Sequence, residues 1–177
     1  MNKAKITAVC GMTTALSVVL MMTSTLLPVL MYVLPVVTSL GVLYVRDLSN
    51  KKWAFGVYAA TSVLSMILLT DKETALTYVL FFGYYTLVKN SFEKLPKIVS
   101  RLIKTLVFNA AAITIGILGV WLFGVSGEEY SEFGKLTIPL LLGLANLAFV
   151  LYDFAITKNG ILIELLARKT KKILRLR

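Results

Sequence analysis

The sequence predicts an all-α integral membrane protein of six transmembrane helices, with both termini cytoplasmic and short amphipathic helices on the cytoplasmic side. Three observations lead there. Of 177 residues, 58% are hydrophobic and only 16% charged, with a mean hydropathy of +0.81, more apolar surface than one soluble domain buries. Uncharged runs recur at the length of roughly 20 residues that a hydrocarbon layer of about 30 Å demands. The charges between those runs change character from loop to loop, the segregation expected where Lys and Arg are retained in the cytoplasm.

Lys3 and Lys5 precede an apolar run that continues past the core of a signal peptide and ends without a small-residue cleavage site, so it reads as a retained first helix. No charged residue occurs over 6–45, about twice the length of one span. Two helices must lie there, and Thr23, Ser24, Thr25 and Pro28 mark the turn. The segment 26–34 is either the start of helix two, kinked later at Pro35, or an apolar loop dipping back under the cover of protein. Helix three is expected over about 53–69, a short helix four over 74–88, helix five over 105–123 and helix six over 136–157. Pro139 falls in the first turn of helix six, where no backbone donor is lost. These runs lack the alternation that barrel strands need.

Loop charge sets the orientation. One set holds Lys3 and Lys5; Arg46, Lys51 and Lys52; Lys89, Lys94, Lys97, Arg101 and Lys104; and the tail over 158–177. The other has only Lys72 and Lys135 against Asp71, Glu73, Glu128, Glu129 and Glu132. A miscounted span would scramble this pattern. The net charge of +10 therefore reads as topology, not as a nucleic-acid footprint. The chain is expected to be a single transmembrane domain over 1–177, with 159–177 a basic amphipathic tail. In the loop after helix four, Phe92, Leu95, Val99 and Leu102 alternate at helical spacing with Lys94, Lys97 and Arg101. The tail repeats this design with Leu162, Leu165, Leu166, Ile173 and Leu176 among Arg168, Lys169, Lys171, Lys172 and Arg175. Such surfaces either anchor to anionic membrane lipid or dock a cytoplasmic partner. Trp53 and Trp121 fall at opposite interfaces, as aromatic belts do.

Candidate functional residues form three groups. In helix one, Ala4, Ala8, Gly11 and Ala15 recur at spacings of four and three, a stripe that lets another backbone approach closely, within this bundle or on a different protein. Buried polar candidates are Asp153 in helix six, Asn109 in helix five, and Tyr84 and Tyr85 in helix four, whose hydroxyls are placed to serve Asn109 or Asp153. Asp153 is either a structural anchor or a functional acid. Tyr32, Thr70, Asp71, Trp121, Glu128, Glu129, Tyr130 and Asn146 form the candidate substrate-binding set, most of them near the outer helix ends.

One cysteine and no histidine exclude an internal disulfide and the usual imidazole metal or haem sites. No nucleophile stands beside a base, so neither an enzyme nor a cofactor is expected. Gly134 and Lys135 do not make a phosphate loop: six residues separate Gly127 from Gly134, and Leu136 follows Lys135. Any ATP hydrolysis belongs to another chain.

The first-helix segment from Ala8 through Gly11 to Ala15 resembles the AxxxA-type pattern of the substrate-binding S components of energy-coupling factor (ECF) transporters, with Gly11 in place of the first alanine and Ala4 with Ala8 as a second register. Size and six-helix topology are also similar. The resemblance implies capture of a vitamin-like small molecule at the outer face, then association through helix one with a transmembrane coupling protein driven by cytoplasmic ATPases. The chain also resembles small scaffolds of the rod-shape-determining MreD-like kind, and a homo-oligomeric channel or carrier lined by helices five and six is the third reading.

Overall fold

The computed structural model describes residues 3–25, 30–123 and 137–173, and these residues are helical almost throughout, with no strand among them. Among the described residues seven α-helices follow in order: α1 (Lys3–Met22), α2 (Val33–Leu48), α3 (Lys51–Leu68), α4 (Lys72–Thr77), α5 (Gly83–Phe92), α6 (Lys97–Phe123) and α7 (Thr137–Ile173). A 3₁₀ turn, Thr23–Thr25, closes α1 where the turn residues were expected. Among the described residues three helices, over Lys3–Thr25, Lys97–Gly119 and Pro139–Ile173, are long and apolar enough to cross a membrane, which points to a membrane location.

Two compact units make up the chain, residues 1–90 with 156–177 and residues 91–155. In the first, α1, α2 and α3 pack on one another. Ile6 shares a buried cluster with Leu48 and Gly41 lies against Thr13 and Ser17, so α1 and α2 run antiparallel. Only Ser49 and Asn50 separate α2 from α3. The Asn50 side chain accepts from the backbone N–H groups of Lys52 and Trp53 at 3.0 and 3.1 Å, satisfying two orphan donors of α3.

Burial in this unit is inverted relative to a water-soluble protein. Thr14, Ser17, Thr38, Ser39, Thr61 and Ser65 are buried, while Met12, Leu16, Val19 and Ile67 are exposed. Small hydroxyl residues let helices approach closely and bond their own carbonyls, as Thr38 does to Pro35 and Ser65 to Ser62.

Four boundaries differ from expectation. Pro35 stands in the first turn of α2, where its missing N–H costs nothing, so it does not kink the helix. Of the uncertain segment, Leu30 is 3₁₀ and Met31–Tyr32 a turn, whereas 26–29 lies outside the described residues. The fourth predicted helix is longer and interrupted: α4 passes into a π-helical turn, Tyr78–Phe82, and then into α5. The expected separate amphipathic helices are extensions of their neighbours. Residues 97–104 are the start of α6, and the tail continues α7 through its 37 residues, about 55 Å at the usual helical rise.

Candidate functional site

In the first unit, the end bearing Asp71 and Glu73 carries a polar network built on three helix termini. Asp71 caps α4, accepting from the N–H groups of Glu73 and Thr74 at 3.1 and 3.3 Å; its carboxylate also accepts from the Thr74 hydroxyl. Lys72 closes α3, its Nζ donating to the carbonyls of Met66 and Leu69 at 2.8 and 2.6 Å, a cation placed at the negative end of the helix dipole. Tyr32, just before α2, donates its hydroxyl to Glu73 Oε1 at 2.5 Å. The Thr74 hydroxyl reaches Met31 O at 3.3 Å. The structure thus joins Tyr32 to Asp71 through Glu73 and Thr74, with Thr70 exposed in the adjoining bend.

Beneath this cap lies the π turn, and its cause is visible in the packing. Tyr58 of α3 donates its hydroxyl to Val79 O at 2.9 Å, and its ring stands where a side chain at 83 would be. A Cβ on Gly83 would lie 2.5 Å from Tyr58 Cδ2 and 2.9 Å from Tyr78 O. Glycine therefore admits the tyrosine. Tyr78 packs tilted against Tyr58 and Tyr84 packs edge to face with it, at centroid distances of 6.2 and 6.5 Å. The hydroxyls of Tyr78, Thr61 and Ser62 complete no hydrogen bond. Tyr78 and Thr61 are fully buried. An unmet buried hydroxyl costs about 1–3 kcal/mol, and π turns gather at functional sites. The chemistry on offer is neutral hydrogen bonding. Among the described residues no group of His, Cys, Asp or Glu is arranged to hold a metal.

Other predicted residues fall elsewhere. In the second unit, Asn109 and Asn146 exchange amide hydrogen bonds at 3.0 and 2.9 Å, and each also donates to its own helix, to Thr105 O and Leu142 O. Beside this pair, Phe108 stacks on Phe149 at 4.8 Å. Asp153 is paired with Lys104, Nζ to Oδ2 at 3.2 Å, and Lys104 also reaches Glu93 at 3.3 Å. Lys104, expected in a loop, is instead a buried residue of α6. Asn109 bonds Asn146 and Asp153 bonds Lys104, and the rings of Tyr84 and Tyr85 pack on Phe81. Asn146, grouped with the substrate set, has its amide engaged in joining α6 to α7. Trp121 is 80% exposed on α6. Glu128, Glu129 and Tyr130 lie outside the described residues.

On α1 the small-residue stripe faces outward: Ala4, Ala8, Gly11 and Ala15 are all exposed. The opposite face, Ile6, Thr14, Ser17, Val18 and Met21, is buried. Sequence reading had missed Thr61, Ser62 and Tyr78; the one signal for them is Gly83 interrupting the aromatic run from Tyr78 to Tyr85. No family model, curated protein or solved structure matches the chain.

Proposed function

We propose that the chain crosses the membrane six times with both termini inside, captures a small molecule at its outer face, and hands it to an ATP-driven coupling module in the manner of an ECF-type S component. The observation that carries this reading is the outward face of α1. Ala4, Ala8, Gly11 and Ala15 are exposed along its length, and a Cβ at Gly11 meets nothing within 4 Å. The bundle does not use the stripe for its own packing, so it is open to the backbone of another membrane helix. Two features support capture at the other end of the reading: the network around Tyr32, Asp71 and Glu73, and the hydroxyls of Thr61, Ser62 and Tyr78 beneath it.

The six crossings are α1, α2, α3, α4 continued through the π turn into α5, α6 and α7. Their support is charge: Asp71 and Glu73 at one end of the first unit, Arg46 and Lys89 near the other. Gly11→Leu or Ala15→Leu is expected to leave the purified protein folded and to abolish its co-purification with a coupling protein and ATPases. Unchanged recovery of the complex would sink the assignment. Native mass spectrometry that finds a membrane partner but no small molecule would transfer the same face to a scaffold of the MreD-like kind.

A further inference from the structure

The end of α7 returns to the helix that opens the chain. Ala167 is buried in a cluster with Ile6 and Leu48, and Trp53 packs on the same cluster; ten residues earlier, Thr157 accepts from Lys89 Nζ at 2.7 Å. This packing gathers cations that are remote in sequence. Lys3 stands about one turn before Ile6, Lys51 and Lys52 adjoin Trp53, and Lys169 and Lys172 follow Ala167. All five are exposed. The nearby acids Asp47 and Glu164 do not offset them, since Asp47 is paired with Arg46 at 2.9 Å and Glu164 with Arg168 at 2.6 Å.

Beside these cations α7 exposes Ile161, Leu162, Leu165 and Leu166, each between 56% and 65% accessible, while Ile163 and Ala167 face the bundle. Along this stretch the exposed Ile161, Leu162, Leu165 and Leu166 are interleaved with charge, Glu164 paired with Arg168 and then Lys169 and Lys172, so bare hydrocarbon and cations share one helix surface. An acidic protein surface would answer only the cations. A bilayer edge answers both, because hydrocarbon and anionic headgroups adjoin there. We propose that this basic end is a binding site for anionic phospholipid: Lys51, Lys52, Lys169 and Lys172 hold the phosphate layer, and the leucines of α7 hold the acyl chains beneath it. The site is composite, made only when the end of α7 packs against α1 and α3. It does not depend on the transport reading.

The test uses the full chain in nanodiscs of phosphatidylcholine, with and without phosphatidylglycerol. Phosphatidylglycerol is expected to raise the Tm by several degrees and to remain bound in native mass spectra, both effects weakening as salt rises. Lys51→Gln with Lys52→Gln, and separately Lys169→Gln with Lys172→Gln, should each reduce the retained lipid several-fold. The corresponding Lys→Arg pairs should keep it. Loss from the tail pair alone would overturn the composite site. Equal retention by wild type and both Gln pairs would overturn lipid binding here altogether, as would capture of an acidic protein that both Gln pairs abolish without altering lipid retention.

Discussion

At residue scale, the most informative position is Gly83. Its lack of a side chain lets the Tyr58 ring enter the helix that would otherwise run unbroken from α4 into α5, and the Tyr58 hydroxyl then meets a carbonyl of the π turn. Gly83→Ala sets a methyl against that ring and against Tyr78 O, and is expected to cost about 1–3 kcal/mol as over-packing does. Thermal unfolding of the purified protein checks this; an unchanged Tm would show that the ring moves aside freely. Tyr32 and Asp71 were legible beforehand because polar groups at the ends of apolar runs stand out. Thr61 and Ser62 were not. A hydroxyl inside an apolar run has no pattern that tells which neighbour it will find, since most such groups bond the carbonyl three or four residues back, as Thr13 does to Val9 O and Thr77 to Glu73 O.

At the scale of elements, α6 and α7 are joined by polar pairs at matching heights, Lys104 with Asp153 and Asn109 with Asn146. The loop charges were read as a boundary, yet Lys104 lies inside α6 with its side chain only 9% exposed. Charge alone does not end a helix when a partner waits on the facing helix. Asp153→Leu leaves that cation with Glu93, whose side chain is 43% exposed, and is expected to lower the Tm by several degrees. Lys104→Met combined with Asp153→Leu should recover part of the loss, because replacing a buried pair outright costs less than orphaning one member. Additive losses in the double variant would show that the two side chains do not interact. The same continuity appears in α7, where a tail predicted as a separate surface helix is helical without a break from the span: no glycine turn or proline stands at the junction, and Gly160 alone is tolerated within a helix.

For the whole molecule, the orientation proposed above makes a direct prediction. In a Cys10→Ser background, Thr70→Cys should react with an impermeant maleimide added outside intact cells, and Lys52→Cys only after the membrane is opened. Both positions are exposed, so a failure to label reflects sidedness and not burial. Labelling of both from the same side would remove the six-span topology.

By itself the sequence determined that the protein is helical and belongs in a membrane, because hydrocarbon demands long apolar runs and helices that satisfy their own backbone. It also displayed the stripe on α1, a local periodicity. Whether that stripe faces in or out depended on which side of α1 packs on α2 and α3, and that was decided by Ile6, Ser17, Val18 and Met21 finding complementary surfaces. The π turn, the pairing of Asp153 and the gathering of distant lysines around Ala167 were likewise settled only in three dimensions. Each depends on contacts between segments far apart in the chain, and the energy of such a contact is not written in either segment alone.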